Sequence, residues 1–125
     1  MRVGCESLLC KSKENFELAL DLKKNGKFDA AANRFYYSVF QAVKAYAVSK
    51  GKMRMDESDR VHKKAREIVK DDGSEYLDTI EEAHDLRTKA DYFPEEVHPY
   101  ELEQHFIAEI QDMRDRFDAL TRATA

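Results

Sequence analysis

A helix-patterned segment in the second half of the chain turns charged and titratable side chains toward the face that should be apolar. At about 100° per residue, this face holds Leu77 and Ile80 and continues as His84, Arg87 and Asp91. The opposite face carries the acidic and polar residues expected on a solvated surface. An inward charge is costly unless it is paired or used, so this stripe is the first candidate site.

Two interpretations of Arg87 and Asp91 are open. They lie four residues apart, so they can form a salt bridge that only stiffens the helix end. Alternatively, the guanidinium faces a groove, where its fork of N–H donors would bind phosphate and Asp91 would orient it. His84, one turn earlier, is either a general acid or base or a satisfied core residue.

Two adjacent tyrosines earlier in the chain form a second candidate set. Tyr36 and Tyr37 could stack on a nucleotide base while Arg34 reaches its phosphate. Aromatic residues at helical spacing more often form cores and interfaces, and packing is the interpretation we favour for this pair.

Two Glu-x-x-His pairs, Glu81 with His84 and Glu95 with His98, have the spacing of ligands in di-iron helical bundles. However, Glu81 falls on the solvated face, and the second pair lies between two prolines rather than on a helix. The chain also has no glycine-rich phosphate loop and no serine or cysteine beside a plausible base. We therefore expect no metal and no cofactor.

The composition predicts one small helical domain. A chain of 125 residues is long enough for one core but too short for two, so we expect a single domain over residues 1–125. Two prolines and four glycines are the only breaks, and strand-like alternation is absent, which predicts an all-α fold. Without an apolar segment of signal-peptide or membrane-span length, we expect a cytoplasmic protein with Cys5 and Cys10 as reduced thiols.

Charge is distributed unevenly along the chain. Residues 1–70 carry 16 basic and 9 acidic side chains, whereas residues 71–125 carry 5 basic and 16 acidic ones. The net charge of the whole chain is −4. The acidic balance argues against general nucleic-acid affinity, which depends on phosphate neutralisation. The densest basic stretch runs from Lys50 to Arg66 and is either a solvated helix face, a complement to an acidic partner or a local nucleic-acid contact surface.

Five helices are predicted to position these residues. The first three span about residues 7–25, 27–50 and 59–69, with Gly26 and Gly51 as stops. Ser74 caps the fourth helix, which ends near Tyr92, and Pro99 lies in the first turn of the last. Four long helices and a short one, joined by short loops, predict an antiparallel four-helix bundle with one additional short helix.

The predicted core faces differ between helices. The first helix should bury Leu9, Phe16, Ala19 and Leu20, and the last should bury the stripe Leu102, Phe106, Ile110, Met113, Phe117 and Leu120. The second helix is apolar around most of its circumference, more than a four-helix core requires. We infer a homodimer with this helix near the interface, the alternative being that the third helix or the loops cover the extra face.

The segment 31–42 (AANRFYYSVFQA), followed by LRTKADY at 86–92, resembles the HEPN family (higher-eukaryote and prokaryote nucleotide-binding domains). The similarity is to the small stand-alone prokaryotic branch, with an A-x-N-R-x-Y-Y-x-x-F helix and a later R-x-K-A-D-Y helix end. The break at Gly51, His62 on the short third helix and the final amphipathic helix also fit. The resemblance extends from about Leu8 to Leu120.

This resemblance implies a dimerising helical bundle, often encoded beside a minimal nucleotidyltransferase in a toxin–antitoxin-like pair. Many family members are metal-independent ribonucleases that use an R-x(4–6)-H motif across the dimer groove. Arg87 matches the arginine, but Tyr92 occupies the position nearest to the histidine, and a tyrosine with a pKa of about 10 is a poor general acid. The resemblance marks Arg87, Asp91 and Tyr92 as the groove, with Arg34 and Tyr37 as neighbours.

The leading hypothesis is a dimeric, weakly active or non-catalytic module that binds a nucleotide, RNA or a nucleotidyltransferase partner. The alternative is a metal-independent ribonuclease in which Tyr92 or His84 replaces the usual histidine. A helical-repeat adaptor, suggested by the segment 26–31, ranks last because that pattern has no second copy at the required period of about 34 residues.

Overall fold

The computed structural model describes residues 4–93 and 97–123, which form five α-helices and two 3-10 turns without a β-strand among them. The helices are α1 (Cys5–Lys24), α2 (Phe28–Ser49), α3 (Val61–Asp72), α4 (Leu77–Tyr92) and α5 (Gln104–Ala123). The four long helices enclose one core, and the short α3 packs against α2 and α4. The predicted all-α class is confirmed. No helix within the described residues has both the length and the apolarity to cross a bilayer.

The central helix is α2, which contacts all four other helices. Its buried residues lie around most of the circumference, and Phe35, Tyr36 and Val43 have no exposed surface within this single chain. The apolar pattern of α2 is therefore explained by neighbours in the same chain, α3 among them. The homodimer draws no support from α2 and stays a prediction.

Glycines end the first two helices, as predicted. Gly26 and Gly51 have φ angles of 76° and 73°, a region that favours glycine because it has no Cβ. After each glycine, the next backbone N–H returns to the preceding helix, from Lys27 to Leu22 and from Lys52 to Ala47. These bonds satisfy carbonyls that the helix ends would otherwise leave without donors.

One residue of the predicted buried face of α1 is exposed. Leu9, Phe16 and Ala19 are buried, but Leu20 is exposed, so its prediction was wrong. The face is centred near Ser12, whose buried hydroxyl donates to the Ser38 carbonyl of α2 at 2.6 Å. Leu20 lies about 80° around the helix from Ser12, at the edge of the contact with α2.

The stripe predicted for the last helix is buried, with Leu120 only partly covered. The start of this helix was predicted wrongly, because Pro99–Leu102 forms a separate 3-10 turn and Glu103 is extended before α5. Ser74 likewise does not cap α4: it opens the 3-10 turn Ser74–Tyr76 and makes no capping hydrogen bond. That turn begins beside Gly73, where an added Cβ would lie 2.9 Å from the Phe117 ring, so the close approach requires glycine.

Candidate functional site

Three helices bring aromatic and basic side chains together around Tyr36 of α2. The Tyr36 ring is 5.3 Å, centroid to centroid, from both His62 of α3 and His84 of α4. The two imidazoles are themselves 5.5 Å apart. Together with Tyr37 and Arg87, described below, these residues form a group that we call the Tyr36 cluster.

The Tyr36 hydroxyl hydrogen-bonds to Nδ1 of His62. Burial raises the pKa of Tyr36 well above its ordinary value, so the phenol keeps its proton. The hydroxyl has no other acceptor among the described residues, and it therefore donates to Nδ1. With this donation, the proton of neutral His62 lies on Nε2.

Both histidines are held in the neutral form. Burial lowers the pKa of His62, and the positive charges of Arg87 and Arg66 and the neighbouring His84 lower it further. Burial likewise lowers the pKa of His84, with Arg66 and Arg87 as the next causes and Asp85 acting in the opposite direction. Near neutral pH, the cluster therefore contains two uncharged imidazoles that can accept protons, beside permanently charged guanidinium groups.

Arg87 faces this cluster, as its position on the helix predicts. Its guanidinium carbon lies 5.6 Å from the centre of the Tyr37 ring, and its side chain is only 21% exposed. Its Nε lies 3.1 Å from Oδ2 of Asp91, which makes the predicted ion pair. The N–H is not directed at that oxygen, however, so this buried donor has no hydrogen-bond acceptor among the described residues.

Arg34 contacts the same tyrosine from α2. Its guanidinium carbon is 5.3 Å from the Tyr37 ring centre, so two arginines on different helices share one aromatic ring. Asn33 accepts from Nε of Arg34 at 3.0 Å, and Asn15 of α1 accepts from its Nη1 at 3.1 Å. Cation–π contacts and amide hydrogen bonds thus fix the Arg34 side chain before any ligand arrives.

The two tyrosines have different environments. Tyr36 is fully buried and packs in the core, as favoured from the sequence. Tyr37 is half-buried and lies at the surface end of the cluster, where it contacts both arginines. A stacking role for a base is therefore open to Tyr37 alone.

Tyr92 and Asp91 lie at the margin of this arrangement. Tyr92 is 72% exposed and follows Arg87 by five residues, which turns it about 140° away around α4. It makes no ring contact with the cluster in the described part of the chain. Asp91 is 34% exposed at the side chain and also accepts from Asn33 of α2 at 3.5 Å.

Two members of this site were not singled out from the sequence. His62 entered only as a feature of the family layout, and Arg66, one turn later, was counted as part of a basic stretch. Their i, i+4 spacing on one face of α3 was the available signal. Which helix that face meets depends on tertiary packing.

The other candidate ligands are engaged elsewhere. His98 is exposed, stacks on Tyr100 and caps the 3-10 turn together with Glu101. Glu81 is exposed, as predicted, and Glu95 lies outside the described residues. Within the described ranges, no three His, Cys, Asp or Glu side chains gather closely enough to hold a metal ion.

Two surface clefts border the cluster. One of about 430 Å³ includes Asn33, Arg34 and Asp91 in its wall, and another of about 380 Å³ is lined by Arg66, Glu81, His84 and Asp85. A larger cavity of about 690 Å³ is lined by residues of the segment 48–57 and contains none of the cluster side chains. The side chains that line a cavity indicate function better than its volume does. The clefts beside the cluster are therefore better candidate sites than the larger cavity.

Comparison with known proteins identifies a family for the chain. A family model described as "HEPN domain" matches residues 5–119, nearly the whole chain. No curated protein sequence has significant similarity to the chain.

Proposed function

This chain belongs to the HEPN domain family, and we propose that it is a dimeric helical module that binds the phosphate of a nucleotide or RNA at the Tyr36 cluster. The observation that carries the proposal is the buried Nε–H of Arg87, which has no acceptor among the described residues. A buried donor without an acceptor is unfavourable, and a phosphate oxygen would satisfy it. Arg34, which like Arg87 contacts the Tyr37 ring, supplies a second guanidinium for the same ligand.

A second candidate function is metal-independent RNA cleavage, and the neutral histidines favour it. One imidazole would take the proton of the ribose 2′-hydroxyl, whose oxygen then attacks the phosphorus. The imidazolium formed in this way would then give that proton to the departing 5′-oxygen, leaving a 2′,3′-cyclic phosphate and a free 5′-hydroxyl. Arg87 would stabilise the extra negative charge on the phosphorane oxygens. In this scheme His84, rather than Tyr92, replaces the family histidine, because His84 lies beside His62.

The proposed dimer is supported by the family and by exposed apolar side chains. HEPN domains commonly dimerise, and the chain exposes Leu18, Tyr92, Phe93 and Tyr100, large apolar side chains suited to a contact. A minimal nucleotidyltransferase partner in a toxin–antitoxin-like pair is carried over from the family resemblance alone. Light scattering at tens of micromolar tests the dimer, and a monomer there would contradict it.

Titration calorimetry with uridine monophosphate tests the phosphate site. Arg87→Ala should weaken binding at least about tenfold, since a charge-assisted hydrogen bond is lost. Arg116→Ala, which removes an exposed arginine from α5, is the matched control and should leave binding unchanged. Equal affinities for the two variants, both folded by circular dichroism, would refute the site.

Two further variants separate binding from cleavage. A mixed RNA substrate in excess EDTA should be cut by the wild type if the second candidate holds, and His84→Gln should abolish the cutting while Tyr92→Phe preserves it. A wild-type protein that binds uridine monophosphate but never cuts RNA is a binding module, and the ribonuclease candidate then fails.

A further inference from the structure

The cluster continues outward as a row of cations on α3. Relative to His62, the next residues around this helix are Arg66 at about 40°, Lys70 at about 80° and Lys63 at about 100°. Lys63 and Lys70 are exposed, and Arg66 is half-buried between them and the histidines. We call these three residues the α3 row. Glu67 follows at about 140°, so the arc between His62 and Lys63 carries no acidic residue.

Three of the five other cations in the stretch from Lys50 to Arg66 form ion pairs with carboxylates. Lys52 pairs with Asp72 at 3.0 Å, Arg54 pairs with Asp56 at 3.4 Å, and Lys64 pairs with Glu57. Among the described residues, no carboxylate forms an ion pair with any member of the α3 row. The fold thus leaves free the cations that lie beside the cluster.

We infer that the α3 row holds the phosphate backbone of an RNA strand whose reactive or terminal phosphate lies at the cluster. This inference rests on the proposed function and names its ligand class. Lys63 and Lys70 are seven residues apart, about 10 Å along the helix axis, so one phosphate cannot contact both. Successive phosphates of a strand can, and such contacts require no particular base sequence.

The opposite wall of the cleft restricts where the strand can lie. Glu81 and Asp85 of α4 line the same cleft as Arg66 and His84, and their charges repel phosphate. The strand should therefore follow the α3 side and reach the cluster past His62. Neutralising the acidic wall with Glu81→Gln and Asp85→Asn should tighten RNA binding.

Fluorescence anisotropy with a labelled oligouridylate of 12 nucleotides tests the inference against uridine monophosphate. The oligomer should bind the wild type at least about tenfold more tightly than the monophosphate. The double variant Lys63→Gln/Lys70→Gln should lose roughly tenfold in oligomer affinity, and its salt dependence should fall by about 1.4 in log–log slope, two contacts at about 0.7 each. Its affinity for the monophosphate should be unchanged.

The matched control is Lys11→Gln/Lys13→Gln, which removes two exposed lysines from α1. Equal oligomer affinity for the two double variants, or an oligomer that binds no better than the monophosphate, would overturn the inference while leaving the phosphate site intact. Competition by polyglutamate as strong as that by the oligomer would also overturn it, because the row would then suit an acidic protein. Absence of binding by both uridine ligands would refute the proposed function itself.

Discussion

Two tyrosines ten residues apart on α2 each hydrogen-bond to a side chain of α3, and the two contacts are completed differently. Tyr46 donates to Oδ2 of Asp72 at 2.9 Å, and Nζ of Lys52 binds the same oxygen at 3.0 Å. We call these three residues the Tyr46 clamp. Tyr36 instead binds an imidazole that lies beside a second imidazole and a buried arginine donor, for which the described part of the chain supplies no acceptor.

The pKa shifts follow this difference. In the Tyr46 clamp, burial and the bond to Asp72 raise the pKa of Tyr46 to about 12, and the bonds from Lys52 and Tyr46 lower the pKa of Asp72. The Asp72 carboxylate and the Lys52 ammonium thus stabilise each other. In the Tyr36 cluster, burial and like charges keep the histidines neutral. The clamp is a closed structural contact, whereas the cluster contains neutral imidazoles and an arginine donor with no acceptor among the described residues, as the proposed phosphate site requires.

The largest expected contrast is that a variant of the clamp loses stability, whereas a variant of the cluster loses ligand binding. Asp72→Ala removes the acceptor of the part-buried Tyr46 hydroxyl and should lower the free energy of unfolding by about 1–3 kcal/mol in urea titrations. Its affinity for uridine monophosphate should stay at the wild-type value. His62→Gln, which retains an acceptor for Tyr36, should weaken ligand binding with a smaller loss of stability. The reverse pattern would break the distinction between clamp and cluster.

Acid should destabilise the two regions in different pH windows. Because the folded pKa of each cluster histidine is lowered, the unfolded chain takes up more protons below about pH 6.5, and stability falls as the pH drops through that range. The contribution of Asp72, whose folded pKa is also lowered, is present above about pH 4 and is lost only below it.

Thermal melts between pH 7.5 and 5.5 check this order. His62→Gln/His84→Gln should lose less melting temperature than the wild type over this interval, whereas Asp72→Asn should follow the wild-type slope. A double histidine variant as acid-sensitive as the wild type would show that these imidazoles are not the groups responsible.

The smallest expected effect concerns the exposed part of the clamp. Lys52 is 42% exposed at its side chain, so Lys52→Met should lower stability by at most about 1 kcal/mol in urea. Losing this partner should also raise the pKa of Asp72 and move acid unfolding to higher pH. A loss as large as that of Asp72→Ala would mean that the lysine, rather than the tyrosine, holds α3 in place.

Local patterns predicted much of this fold. The stops at Gly26 and Gly51 and the stripe through Phe106 and Phe117 depend on residues close in sequence, and the structure agrees with them. The inward direction of Arg87 followed from helical periodicity in the same way. The family was also recognised from two short motifs.

Contacts between distant segments were not predictable from such patterns. Tyr36 and His62, like Tyr46 and Asp72, are 26 residues apart, and nothing local indicates which face of α3 meets α2. The apolar circumference of α2 was recognised, but helices of the same chain cover it. Leu20 was wrongly predicted to be buried, because the buried face of α1 is centred near Ser12, a polar residue.

The most direct test of the phosphate site is the side-chain NMR signal of the Arg87 Nε–H group, assigned by its loss in Arg87→Lys. Titration with uridine monophosphate should shift this signal strongly, because the buried donor gains an acceptor, while the Nε–H signal of Arg116 stays in place. Saturating ligand that leaves the Arg87 signal unmoved, or that moves both signals alike, would contradict the account.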